Sequence, residues 1–343
     1  MRNIKKTSSE NQLDVFGSLL SSAGIDIDRE EIKFTPLTGG VSSDIWRVDI
    51  TGKPSLCVKR ALAQLKVEAV WFAPISRNSF EVAWYNTAND LVPGISPCIR
   101  AHDPGKGMFV MDFLSPDSYP LWKDRLLEGN ADPAFAHSVG KALGQIHAGT
   151  ADNAEIADRF KTDNAFFDLR LEPYLKATAQ IHTQLTDRMQ HLISVTQTNK
   201  HVLVHGDISP KNILIGPKNP VILDAECAWY GDPAFDPAFC LNHLMLKCIP
   251  ARTAVTELAL CFNAFFEAYK SQITWEPVYK LEQRIAHLLP ALLLARIDGK
   301  SPVEYIHLDE DKRRVISFAI KLLIKSTDKL AEIIHLWQEE MRL

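Results

Sequence analysis

From Glu31 to Lys59 apolar and polar side chains alternate. The segments EIKFTPLT, DIWRVDI and SLCVK are separated by a turn with two glycines and by TGKP. A period of two with β-branched residues marks strands with one buried face, and TGKP is good turn chemistry. Residues 76–90, SRNSFEVAWYNTAND, switch to a helical pattern with Ser76 as N-cap. Two further strands, PCIRAHD and GMFVMDF, follow around the turn Pro104–Gly107. Beyond Leu114 the helical period dominates. Asp132-Pro133 opens one helix and residues 165–198 read as helical. Residues 201–224 return to short strands, HVLVH, NILI and PVILD, and after Asp232-Pro233 almost everything to Leu343 reads as helix. The pattern predicts an α+β fold in two lobes. Residues 1–113 form a small antiparallel sheet with one helix and residues 114–343 a larger, mainly helical lobe. A ligand cleft is expected between such lobes.

Composition narrows the classes. The 343 residues are 46% hydrophobic with a net charge of −4, enough apolar matter for a core and no basic excess to bind nucleic acid. Six cysteines lack any C-x-x-C pair or zinc-like spacing and read as buried thiols of a reducing compartment. The first sixteen residues carry basic side chains with no apolar stretch behind them, unlike a secretory signal. The most apolar run, LLPALLLA (288–295), is far short of a membrane span of about 20 residues. A cytoplasmic protein without a membrane or nucleic-acid partner is expected. The apolar stripe in residues 317–337 is expected to pack internally, leaving monomer and homodimer open.

The chemistry concentrates in His205-Gly206-Asp207-Ile208-Ser209-Pro210-Lys211-Asn212, followed by Val221-Ile222-Leu223-Asp224. An Asp and an Asn five residues apart share a polar loop between strands, and a second Asp ends the next strand. Phosphoryl transfer needs one carboxylate, here Asp207, to orient and deprotonate the attacking hydroxyl. It also needs hard oxygen donors, here Asn212 and Asp224, to hold Mg²⁺ on nucleotide phosphates. His205 is expected to support the loop by hydrogen bonding. Lys211 reads as a solvent-facing lysine or a contact to the transferred phosphate. Glu226 reads equally as a metal or substrate contact or as a structural hydrogen-bonding group.

His205-Gly206-Asp207-x4-Asn212 with Ile222-Leu223-Asp224 resembles the aminoglycoside phosphotransferase/choline kinase superfamily, small-molecule relatives of protein kinases. Lys59, Trp71, Arg77-x-x-x-Glu81, Asp224-Ala225-Glu226 and Trp229-Tyr230-Gly231 resemble features of methylthioribose kinases. The resemblance, from about Ile32 to Phe239, implies a bilobal protein-kinase-like fold. The sheet lobe would bind nucleotide and the helical lobe would bind substrate and carry catalysis. It implies that Lys59 contacts the nucleotide phosphates and pairs with Glu81. The turn Thr38–Ser43, with Gly39, Gly40, Ser42 and Ser43, would cover those phosphates, though it lacks a full G-x-G-x-x-G and reads equally as a hairpin. Met111 and Phe113 would meet the adenine from the connector Met111–Leu114. Asp236 is expected to hydrogen-bond back to the catalytic loop, and His147 to be architectural. Trp229, Tyr230 and Phe235 would line an acceptor pocket or pack.

The implied activity is transfer of the γ-phosphate of ATP, with Mg²⁺, to a hydroxyl of a small polar metabolite. A pentose-type sugar or thiosugar comes first. An aminoglycoside or an amino alcohol such as choline or homoserine is the alternative, as is a catalytically silent nucleotide-binding relative. Acids such as Asp163, Asp168, Glu172 and Glu267 are available to a cationic acceptor. Only a few residues separate Asp224 from Gly231-Asp232-Pro233, too few for the activation segment of a protein kinase.

Overall fold

The structure is a computed structural model that describes residues 8–37, 42–64 and 73–342. The chain falls into two compact units. One comprises Met1–Asp90 and Ser96–Ser115, the other Leu91–Ile95 and Pro116–Leu343.

The first unit opens with helix α1 (Ser8–Ser22), which the alternation pattern does not predict. It continues through β1 (Ile32–Leu37), β2 (Ser43–Ile50), β3 (Leu56–Ala61), α2 (Arg77–Leu91, its last residue in the second unit), β4 (Ile99–Asp103) and β5 (Met108–Asp112). The strands form one sheet in the order β1-β2-β3-β5-β4, every pairing antiparallel. A bulge sits between Ile99 and Ala101. Strand alternation turns Phe34, Val48, Ile50, Leu56, Val58, Met108 and Val110 into one core, and Phe16, Leu19 and Leu20 of α1 pack on it. That helix covers an apolar sheet face that would otherwise meet water.

The second unit begins with α3 (Trp122–Leu127) and α4 (Pro133–Thr150), whose N-cap Asp132 accepts from the Ala134 amide. Next come α5 (Ala154–Arg159), α6 (Asp163–Phe166), a π-helix over Phe167–Lys176 containing Pro173, α7 (Ala177–Ile181) and α8 (Thr186–Thr198). The stretch 165–198 is thus helical as expected, in α, π and 3₁₀ turns, with a single break at His182. Pro173 has no amide hydrogen and cannot keep an α-helical ladder unbroken, and the π turns accommodate it. Two short antiparallel pairs follow: β6 (Val202–Val204) with β9 (Trp229–Gly231), and β7 (Ile213–Ile215) with β8 (Pro220–Ile222). The chain closes with α9 (Phe235–Lys247), α10 (Val255–Lys270), α11 (Val278–Asp298), α12 (Asp309–Ile324) and α13 (Leu330–Glu340).

Helices α4 and α10 approach closely at Gly140, where a Cβ would lie 2.1 Å from the Phe265 carbonyl oxygen. The apolar stripe of α12 and α13 packs internally. Phe318 meets Trp337 edge-on at 4.8 Å, and the indole N–H donates to the Met245 carbonyl at 3.0 Å. LLPALLLA is the buried interior of α11, and among the described residues no helix is long and apolar enough to cross a membrane. The cysteines are free thiols, Cys98 exposed and the other five buried.

Candidate functional site

In the second unit β6 delivers the chain into the loop His205–Asn212. Gly206 sits at φ +82°, and a Cβ there would come 2.8 Å from the Cys227 carbonyl oxygen. Only glycine meets both demands without strain. The loop is gripped from α9, where Asp236, fully buried, accepts from the His205 amide at 2.7 Å through Oδ2 and from the Gly206 amide at 2.8 Å through Oδ1. His147 of α4 lies 3.3 Å from that Oδ2 and 2.8 Å from the Tyr269 hydroxyl. Asp236 thus holds the loop, and His147 braces the Asp236 carboxylate.

His205 works as a strut. Its Nδ1 accepts from the Asp207 amide at 3.1 Å and its Nε2 lies 3.1 Å from the Leu223 carbonyl, which fixes the neutral tautomer with hydrogen on Nε2. Burial pushes its pKa down, against the pull of Asp236. The imidazole therefore ties the loop to the residue before Asp224.

Asp207 is almost wholly buried. Its Oδ2 meets Arg170 Nη2 at 3.0 Å and Lys211 Nζ at 3.1 Å, while Oδ1 accepts from the Ser209 hydroxyl at 3.4 Å. Burial pushes this carboxyl up, but the Lys211 and Arg170 charges outweigh it and hold it below its ordinary range. Asn212 donates its amide N–H to the Asp207 carbonyl at 3.1 Å, which fixes which end of the amide carries the oxygen donor. Asp224 follows β8 at φ +69°, a left-handed conformation costly for a side chain larger than glycine. Oxygen donors of this kind suit a hard divalent cation completed by phosphate and water oxygens. Among the described residues no cluster of three or more His, Cys, Asp or Glu is close enough to hold a metal alone.

Arg170 escapes the sequence reading. It lies in the π-helix, stays buried, and also donates to the Gly206 carbonyl and, at 2.7 Å, to the Leu169 carbonyl. Only tertiary packing brings it to a loop more than thirty residues away. Lys211, half-exposed, pairs with Asp207 and is not a free surface lysine. Trp229, Tyr230 and Phe235 pack in the interior. Trp229 stacks on Phe166 at 4.3 Å, the Tyr230 hydroxyl donates to the His201 carbonyl at 2.7 Å, and Phe235 stacks on Phe239 at 5.6 Å.

In the first unit Lys59 of β3 and Glu81 of α2 form a buried ion pair at 2.7 Å, and the Tyr85 hydroxyl donates to the same Glu81 oxygen at 2.9 Å. Arg77, one helical turn earlier, reaches the carbonyls of Ser42 (2.6 Å), Leu62 (2.7 Å), Pro74 (2.9 Å) and Ala73 (3.0 Å). It pins the start of β2 and the chain leaving β3 to α2. Ser42 and Ser43 are buried. Gly39 and Gly40, with Thr38, Val41 and Trp71, lie outside the described residues. Of the connector residues, Met111 is paired in the sheet opposite Cys57, and the Phe113 amide donates to the Ser55 carbonyl at 3.3 Å, so that amide is already engaged.

The sequence pattern of the phosphotransferase enzyme family, APH, matches residues 33–281. The chain belongs to this family. A methylthioribose kinase of Escherichia coli O45:K1 is 26% identical over 249 residues, 63% of this chain and 58% of that protein. The chain thus spans little more than half the length of the curated relatives it matches. Among solved structures, an amicoumacin kinase in complex with AMP-PNP and Ca²⁺ superposes with a TM-score of 0.60 at 12% identity, covering 96% of this chain and all of that one. An ethanolamine kinase of Plasmodium vivax superposes at 0.58 with 15% identity, covering 94% and 93%. The fold is that of the protein-kinase-like phosphotransferases, a small antiparallel-sheet unit and a larger, mainly helical one.

Proposed function

We propose that the protein is a kinase that moves the γ-phosphate of ATP, with Mg²⁺, to a hydroxyl of a small polar metabolite. The observation that carries this reading is the state of Asp207, a buried carboxylate kept ionised by Arg170 and Lys211 on a loop clamped at two successive amides. Both cations sit on Oδ2, which leaves Oδ1, with only a long contact to Ser209, to receive an acceptor hydroxyl.

Oδ1 accepts the acceptor's O–H, aims its oxygen at the γ-phosphorus, and takes the proton as the new P–O bond forms and the bond to ADP breaks. A loose transition state asks for orientation more than for a strong base, so a carboxyl held below its ordinary range is adequate. Lys211 and Arg170 keep that carboxylate from turning. Asn212 and Asp224 would hold Mg²⁺, which supplies charge neutralisation on the phosphates. Lys59, fixed by Glu81, would contact the phosphates, with the turn containing Gly39, Gly40, Ser42 and Ser43 over them and Met111 and Phe113 near the base. A pentose-type sugar or thiosugar leads the acceptor classes, supported by the methylthioribose kinase relatives.

The test is ADP release from Mg-ATP across a panel of pentoses, methylthioribose, aminoglycosides and amino alcohols, with Asp207→Asn in parallel. The substitution should lower acceptor phosphorylation by about 10²–10⁴-fold, the size of a general-base contribution, while Mg-ATP still binds. Equal turnover by the two proteins would refute the role of Asp207.

A further inference from the structure

Beside the catalytic loop the second unit holds a pocket lined by Lys123, Pro210, Lys211, His243, Lys247, Arg296, Glu304 and Tyr305. Four side chains are cationic and one is acidic. Glu304 is spent on Lys123, and Lys211 is the residue paired with Asp207. Lys247, the last residue of α9, is 1% exposed, and its ammonium lies 3.4 Å from the centroid of the Tyr305 ring. No carboxylate pairs with it among the described residues. Arg296 is 6% exposed. It donates through Nη1 to the Ser301 carbonyl, Tyr174 Oη (3.2 Å) and Ser301 Oγ (3.0 Å), while its Nε has no partner. His243 Nε2 and the Tyr305 hydroxyl are likewise buried without a partner.

Buried polar groups find partners in native proteins, and an unpartnered cluster of donors is what an anion would complete. Burial drives the Lys247 ammonium down to about 7, a cost that an incoming negative charge would reverse. Three of the four acids offered by the sequence to a cationic acceptor are engaged by lysines. Asp163 pairs with Lys200, Glu172 with Lys300 and Glu267 with Lys270.

We propose that this pocket anchors the acceptor by an anionic group, so that within the pentose-type class the substrate is one carrying a carboxylate or phosphate and not a neutral thiosugar. The negative group lies against Lys247, Arg296 and the Tyr305 hydroxyl, and Lys211 spans from the pocket to Asp207. An acceptor anchored there presents its hydroxyl on the Asp207 side. This rests on the kinase reading for its reaction, but the anion site can be measured without it.

Calorimetric titration of the nucleotide-free protein with ribonate, ribose 5-phosphate, ribose and choline reads the site directly. Binding by an acid at least tenfold tighter than by ribose is expected, and the two acids separate carboxylate from phosphate. Lys247→Met should weaken that binding at least tenfold while raising the melting temperature, because it removes an uncompensated buried charge. Tyr305→Phe, which deletes one hydroxyl, should weaken it severalfold and serves should Lys247→Met misfold. Ribose or choline binding as tightly as both acids, or acid affinity unchanged in a folded variant, would overturn the proposal. Mg-ATP binding and ADP release are followed in the same preparations. Turnover of neutral acceptors with no acid binding sinks the anion site and leaves the kinase reading. Acid binding without Mg-ATP binding does the reverse.

Discussion

At the scale of single residues, the site rests on a few buried charges with several partners each. Asp236 bears the greatest load, since its two oxygens satisfy consecutive amides that no neighbouring strand reaches. In Asp236→Asn one oxygen becomes an NH₂ group facing an N–H donor, so a buried donor loses its acceptor and a charge-assisted bond is lost. The expected loss is about 2–4 kcal/mol of unfolding free energy, read from urea titration. A shift below about 0.5 kcal/mol would mean that the clamp adds little to folding. The same scale shows what spacing can reveal. Asp207, Asn212 and Asp224 lie close in sequence, and loop chemistry alone singles them out. His205 as a loop support was readable for the same reason. Arg170, Lys247 and His243 were not, because each looks like an ordinary helical residue until packing buries it beside the loop.

At the scale of elements, strands and turns were the most legible parts. Alternation from Ile32 to Ala61 and the Pro-Gly turn before Met108 depend on local sterics, which the sequence states directly. Helix α1 was missed because its polar start obscures the spacing of Phe16, Leu19 and Leu20, whose value lies in the sheet they cover. The π-helix around Pro173 was missed because its departure from the α-helical period is small in sequence and large in hydrogen bonding. Gly140→Ala would gain about 1 kcal/mol of helix propensity in α4. The added Cβ would sit 2.1 Å from a carbonyl oxygen of α10, so the helices must separate. Overpacking of this kind costs about 1–3 kcal/mol and is expected to win, lowering the melting temperature. A higher melting temperature would show that the helices yield freely.

For the molecule as a whole, pH is the simplest probe of these buried charges. His205 and His243 are both held neutral by burial, with pKa values below 6.5. A depressed folded value means the stabilisation is complete above the unfolded pKa and is lost as pH falls through 6.5 towards the folded value. Each histidine then costs about 1.4 kcal/mol per pH unit. Between pH 7.5 and 5.5 these two imidazoles should lower the unfolding free energy, and denaturation midpoints at the two pH values measure it. An unchanged midpoint would mean that the fold holds neither imidazole neutral. Lys247 acts over a higher range. Its drop from 10.5 to about 7 removes stability progressively as pH falls from 10.5 to 7, about 4–5 kcal/mol in all. A cation–π contact with Tyr305 returns roughly 1–2 kcal/mol of that. The remainder is the driving force behind the stabilisation expected of Lys247→Met.

The five residues Leu91–Ile95 belong to the second unit although the first unit resumes at Ser96. Within them Ile95 is fully buried, and its carbonyl accepts from the Ile222 amide at 2.7 Å. On the ribosome, Ile95 is made long before Ile222. At about 5–20 residues per second, it waits roughly 6–25 s for that partner. The hydrogen-bond partner of this segment is therefore made only after the loop His205–Asn212 has been synthesised.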